Sequence, residues 1–257
     1  MKSLTLLTVA LMACQGTPPA KPSKDLDAKD PRSLLEYVAY NTRTQKSYET
    51  RFKARLTTTG APLDYEGQCV WVYPGVLFVH YTASGGDEKM IVRAGEKETW
   101  VWSALAGWVT KDEIGMPGAG RGIQNPDEIL AVLSRAGEYA KLSKPGVVDL
   151  ALTGGDIEKI MKEQANQGAF DWQSSSAKLE LATDAGNRLQ KFTCDATLKP
   201  APGAGGQQPS TVRYTAEVTL VGYDGAKDLK FYDEKKREIP LTKDMTSKIE
   251  SVLKEKP

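Results

Sequence analysis

Apolar and polar positions change their period twice within the first third of the chain. From Pro31 to Asn41, Leu34, Leu35 and Val38 fall on one side, as an amphipathic helix requires. Tyr48, Thr50, Phe52, Ala54 and Leu56 then alternate with Glu49, Arg51, Lys53 and Arg55, the pattern of a half-buried strand with a wet outer face. Two further strands, 66–73 and 76–82, are joined at Pro74-Gly75, a tight-turn pair. Both are apolar on both faces: Cys69, Trp71 and Tyr73 oppose Val70 and Val72, and Val76 and Phe78 oppose Leu77, Val79 and Tyr81. Such strands predict cover on both sides of the sheet. The turns are too short for helical crossovers, so the pairing is antiparallel. Glycine turns at 84–87 and 95–97 lead into strands at 89–94 and 99–103.

The second half predicts more of both element types. Asn125 caps a helix with Pro126 at its first position, and Ile129, Val132, Leu133, Ala136 and Ala140 mark its face. A strand follows at 147–152, then a short helix capped by Asp156 with Ile157, Ile160 and Met161 inward. Strands at 177–183 and 188–198 flank the turn Asp184-Ala185-Gly186-Asn187. A long alternating strand over 211–223 places Val212, Tyr214, Ala216, Val218 and Leu220 on one face. A final helix over 242–253 buries Met245, Ile249, Val252 and Leu253. No repeat is visible, and no linker divides 31–257, which reads as a single antiparallel α+β domain.

The N-terminus follows another pattern. Met1-Lys2 precedes an uncharged apolar run from Leu4 to Ala13, shorter than the roughly 20 residues of a membrane-spanning helix. It ends Leu11-Met12-Ala13-Cys14, which resembles a bacterial lipobox. The resemblance implies that 1–13 is a lipoprotein signal peptide and that Cys14 becomes the first mature residue. Its thiol would carry diacylglyceryl and its amine a further acyl chain, palmitate or similar. Two or three chains hold a protein to a bilayer where one does not. Residues 14–30, rich in Pro and small polar side chains, read as a flexible tether. Gln15 rather than Asp after the cysteine favours the periplasmic face of the outer membrane.

Composition excludes more than it assigns. The 257 residues are 40% hydrophobic and 26% charged, a globular balance, and the formal net charge is +1. With no basic cluster interleaved with aromatics, no nucleic-acid partner is expected. Lipidation of one of the three cysteines leaves Cys69 and Cys194, which in an oxidising envelope either form a disulfide or pack as buried free thiols. The single histidine, His80, sits in an apolar strand and reads as structural. One His and two remaining Cys assemble no zinc-ligand spacing. The Gly118-x-Gly120-x-Gly122 run lacks the Lys-Ser/Thr of a phosphate loop, and no Gly-x-Ser-x-Gly elbow occurs. Neither an enzymatic activity nor a cofactor is expected.

The order of elements with Gly67-Gln68, Trp71, Pro74-Gly75, Phe78, Ile91-Val92, Gly95 and Trp100 resembles the lipoprotein-carrier (LolA/LolB-like) superfamily over about residues 33–110. The resemblance implies an unclosed antiparallel half-barrel with helices over its concave side and an apolar cavity between them. Phe52, Trp71, Phe78, Trp100 and Trp102 would then line a cavity for a lipid or for another lipoprotein's acyl chains, or else fill a solid core. The chain departs from the soluble carriers in having a lipobox. Two functions follow from the resemblance: a lipid-anchored carrier or acceptor of acyl chains, and a regulatory or protein-interaction lipoprotein with a filled cavity.

Overall fold

A computed structural model describes residues 21–58, 60–95, 98–115, 130, 136–157, 170–201, 211–225 and 227–254. Asp30 accepts a hydrogen bond from the backbone N–H of Arg32 and Pro31 opens helix α1, Pro31–Arg43. Five strands follow as a meander: β1 Ser47–Thr57, β2 Leu63–Val72, β3 Val76–Ala83, β4 Asp87–Ala94 and β5 Glu98–Ser103. A sixth, β6 Gly107–Thr110, completes a hairpin that the sequence pattern did not reveal. It is four residues long, and its turn, Ala104-Leu105-Ala106, carries none of the usual turn residues.

Beyond it come a 3-10 turn at Gly137–Tyr139 and strands β7 Ala140–Lys144, β8 Val147–Thr153, β9 Phe170–Thr183, β10 Leu189–Pro200 and β11 Val212–Tyr223. Helix α2, Lys243–Lys254, ends the described chain. Ala140, expected on a helix face, begins β7 instead, because the helical path has ended at the 3-10 turn. Leu130 and Ala136 of the expected helix are buried; Ile129, Val132 and Leu133 lie outside the described residues, as do Ile160, Met161, the glycine run 116–122 and the loop 202–210. Asp156 lies inside the helical residues 155–157 rather than capping them.

The described strands form one 11-stranded sheet in the order β6-β5-β4-β3-β2-β1-β11-β10-β9-β8-β7, every adjacent pair antiparallel. The chain starts at the middle, runs out to one edge, crosses to the other and returns, so β1 and β11 pair at the centre. The edge strands β6 and β7 do not pair with each other, and the sheet is an unclosed half-barrel in an α+β fold.

Alternation along the strands divides the apolar side chains into two separate cores. The larger collects Tyr48, Phe52, Cys69, Trp71, Leu77, Val79, Ile91, Val148, Leu181, Phe192 and Val218 beneath Leu34, Leu35 and Val38 of α1. The smaller lies on the opposite face of β2–β5, where Val70, Val76, Phe78, Met90, Val92 and Trp100 meet Phe231, Met245 and Ile249. The final helix therefore takes the face that α1 leaves free. Its apolar stripe is Met245, Ile249 and Val252; Leu253, expected inside, is 42% exposed, since it stands at the rim of that stripe, about 40° beyond Ile249 and in the helix's last turn.

One glycine shows how tightly the larger core is drawn. Gly67 lies between Phe52 and Tyr81 in the register, and a Cβ there would stand 2.4 Å from both the His80 carbonyl oxygen and Tyr81 Cβ. The two rings meet across it with centroids 6.3 Å apart. This is the physical reason for glycine at the Gly67-Gln68 position.

Within the segment 14–30 that composition marks as a tether, two described residues are held to the domain. The Tyr37 hydroxyl donates to the Lys24 carbonyl at 2.9 Å, and Leu26 packs against the larger core. No described helix is long and apolar enough to cross a membrane. Cys14 lies outside the described residues.

Candidate functional site

The five aromatic residues expected around one cavity stand on two opposite faces of the sheet. Phe52 and Trp71 point toward α1; Phe78, Trp100 and Trp102 point toward α2. Strand parity dictates this, since Phe78 pairs with Val70 and Val92, and Val92 with Trp100. Phe52 is 2% exposed, Trp71 4%, Phe78 2% and Trp100 5%, so each is closely packed by its described neighbours. These four are core residues, and Trp102 packs half-buried against the smaller core, facing Trp108 across the β5–β6 hairpin. Trp71 keeps one polar feature: among the described residues, its buried Nε1 has no hydrogen-bond acceptor. Its ring stacks on Tyr48 with centroids 6.4 Å apart.

The disulfide alternative is corrected by the register. Cys69 lies opposite Thr50 in β1, whereas the row through Cys194 passes Ala216 and reaches β1 at Ala54. Two strands intervene, so the thiols are about 14 Å apart across the sheet alone, beyond the roughly 7 Å Cα limit for a bridge. Both are free. The Cys69 Sγ and Thr50 Oγ1 share a hydrogen bond of 2.8 Å. Burial pushes the Cys69 thiol up to about 12, and burial with the neighbouring Asp195 charge does the same for Cys194. Thiols held protonated in this way are poor nucleophiles.

His80 has structural partners. Its Nε2 lies 2.5 Å from Glu88 Oε1, and its ring meets Phe231 edge-on at 6.4 Å. No group of three or more metal-ligating side chains occurs among the described residues.

Two open depressions are lined by described residues. The larger, about 1110 Å³, spreads over the face opposite α1 from β3 to β8. In each strand its wall is two outward residues and the backbone between them, as at Lys53/Arg55, Lys178/Glu180 and Thr215/Glu217. Cross-strand ion pairs bind this surface together: Lys53 to Glu66 at 3.0 Å, Arg55 to Asp64 at 2.6 Å and Arg213 to Asp195 at 2.9 Å. The Arg55 and Arg213 guanidiniums hold the Asp64 and Asp195 carboxyls below the usual range. All three pairs are largely exposed, and such pairs tune a surface rather than stabilise a fold. The smaller depression, about 740 Å³, lies where the turn carrying Asp233 and Arg237 meets Trp102 and Ile114.

The segment that frames this second depression and supplies Leu229, Phe231, Ile239 and Leu241 to the smaller core carries no regular period, which is why pattern reading passes over it. Its only signals are Leu229-x-Phe231 and Ile239-Pro240-Leu241, two short apolar pairs.

No family model matches the chain, and no curated protein matches it in sequence. Among solved structures it is similar to LprF from Mycobacterium bovis at 12% identity, over 77% of this chain and 94% of that one, with a TM-score of 0.37. It is similar to a LolA superfamily protein, NE2245 from Nitrosomonas europaea, at 11% identity over 78% of this chain and 94% of that one, with a TM-score of 0.31. It is also similar to MucB of the Pseudomonas aeruginosa MucA/MucB complex, at 13% identity over 75% of this chain and 58% of that one, with a TM-score of 0.32. The LolA likeness is the one the sequence motifs anticipated. At these scores the half-barrel rests on the strand order itself, and nothing about ligands passes to this chain.

Proposed function

We propose that the chain is a lipid-anchored bacterial envelope protein that works by docking another protein, with its half-barrel core filled. The observation that carries this reading is the packing of Phe52, Trp71, Phe78 and Trp100, each at most 5% exposed. A binding function then falls to the surface, where the depressions lined by described residues lie. Acylation of Cys14 would hold the domain near the bilayer. Lys24 lies ten residues beyond Cys14, a length of chain that reaches at most about 35 Å. The outer membrane's periplasmic face is the proposed location, on the strength of Gln15.

The test is to cross-link the full-length protein in cells and to extract it for native mass spectrometry. The expected result is a defined protein adduct and no stoichiometric lipid beyond the covalent anchor. Recovery of a bound lipid without a protein adduct overturns the reading. Loss of acyl labelling in a Cys14→Ser variant checks the anchor separately.

The carrier reading retains one favourable observation, the unsatisfied Trp71 Nε1, to which a carboxyl or ester oxygen could accept a hydrogen bond. Uptake of a fluorescent fatty acid that is lost in a Trp71→Phe variant would support it.

A further inference from the structure

The sheet face opposite α1 is covered over one half only. α2 and the segment before it pack on β2–β5. Over β1 and β9–β11 the same face presents Lys53, Arg55, Lys178, Glu180, Asp195 and Glu217, all exposed among the described residues. The larger depression, about 1110 Å³, is a groove that crosses seven strands there, from β3 to β8. Its charge is uneven. Over β2 and β1 the walls are neutral, since Lys53 pairs with Glu66 and Arg55 with Asp64. Over β11 to β8 they carry Glu217, Asp195, Glu180 and Asp149 against Lys178 alone. Lys191 and Arg213, just outside the walls, pair with Glu217 at 2.7 Å and with Asp195 at 2.9 Å. Asp149 and Glu180 remain. They stand directly opposite each other in the β8–β9 register, an arrangement that like charges disfavour. Lys141 faces Asp149 from β7, and Lys178 lies two residues before Glu180, yet among the described residues neither closes an ion pair with them. Asp149 Oδ1 is buried and has no hydrogen-bond donor among the described residues.

We propose that this groove docks an extended, basic segment of a partner protein, with a lysine or arginine seated between Asp149 and Glu180. The excess of carboxylates selects a cation. The length selects a chain: six interstrand steps of about 4.8 Å carry the groove about 29 Å, which about nine extended residues span. The backbone of its floor is already paired in the ladder, so the segment lies across the strands and is held by side chains rather than added as a further strand. This inference rests on the protein-docking reading and names its surface.

The experiment titrates the full mature chain into fluorescein-labelled nona-lysine. Saturable binding that weakens as salt is raised is expected. An Asp149→Asn/Glu180→Gln variant should bind about ten-fold more weakly. A Glu234→Gln/Asp244→Asn variant makes the same change of net charge away from the groove and should bind as the unaltered chain does. Absence of binding, or equal loss in the two variants, overturns the proposal. Spermine binding as tightly as the peptide also overturns it and gives the groove to small amines. The groove variant removes an opposed like-charge pair, so its urea midpoint should not fall. Should it fail to fold, Glu180→Gln alone, at an exposed position, takes its place under the same expectation. A protein adduct that forms in cells undiminished by the groove variant defeats this inference and leaves the docking function standing.

Discussion

The face under α1 and the face under α2 use the same sheet and similar side chains, yet they differ in reach. Under α1 the core runs across the sheet from β5 through the central β1–β11 pair to β8, and backbone ladders tie every strand that contributes to it. Under α2 the core is confined to one half of the sheet, and both covers meet the sheet through side chains: Thr42 Oγ1 of α1 accepts from the Leu189 N–H, and Lys248 of α2 lies 3.6 Å from Glu98. What distinguishes the two faces is extent: one core spans β5 to β8, the other only β2 to β5 with the last helix and the segment before it.

Two phenylalanine truncations give the sharpest contrast. Phe52→Ala should cost about 3–5 kcal/mol of global stability, the usual range for a buried phenylalanine, read as a lower midpoint of urea unfolding. Phe231 is as buried, at 1% against 2%. Its truncation should mainly loosen α2 and the segment before it and move the main transition by less than about 1 kcal/mol. Equal shifts in the main transition would show that the two faces form one cooperative unit.

Alkali should act on the α1 face alone. Burial pushes the Cys69 and Cys194 thiols up to about 12 in the folded chain and also raises the Tyr214 and Tyr223 phenols. An unfolded thiol titrates near 8.5. The folded state therefore keeps protons that the unfolded state loses, and this contribution is complete below about pH 8.5 and falls as pH rises toward 12. For two thiols the slope is at most about 3 kcal/mol per pH unit. Urea midpoints measured from pH 8 to 10.5 should fall accordingly, and less steeply in a Cys194→Ala variant. All four groups belong to the larger core or pack against it, so loosening of α2, read by amide exchange, should not steepen until the whole chain unfolds.

A pair of glycines gives a smaller effect. Gly67→Ala places a methyl 2.4 Å from fixed backbone and should cost about 1–3 kcal/mol. At Gly75, beside α2, the nearest atoms to a new Cβ are 3.6–3.9 Å away. Gly75→Ala should change stability by no more than about 0.5 kcal/mol.

These contrasts also mark what the chain discloses before folding. Alternation in β1 to β5 and the double-sided pattern of β2 and β3 made the antiparallel meander and its two covered faces legible. What covers each face was not legible, because parity assigns a side chain to a face but names no partner. For that reason Phe52 and Phe78, both aromatic and both in strands, were grouped around one cavity although they point in opposite directions. The Cys69–Cys194 alternative stayed open because only the register, fixed by strands far apart in sequence, sets their separation. β6 and β7 escaped because strands of four and five residues carry too few alternations to stand out.

The finest test compares two neighbours in α2. Val252 and Leu253 both belong to an apolar run at the end of a helix, and composition treats them alike. In the structure Val252 packs against the smaller core, and Leu253 is 42% exposed. Val252→Ala removes methyl groups that face the Gly75–Gly95 turns and should raise amide exchange in α2 severalfold. Leu253→Ala removes a side chain already largely in water and trades it for the best helix former, so its effect should stay within about 0.5 kcal/mol. Neither change should move the main urea transition, because α2 takes no part in the larger core. Amide exchange in α2 reads both variants on one scale. Similar rates in the two would show that the end of α2 is frayed rather than seated, and would move the helix's working contact back to Met245 and Ile249.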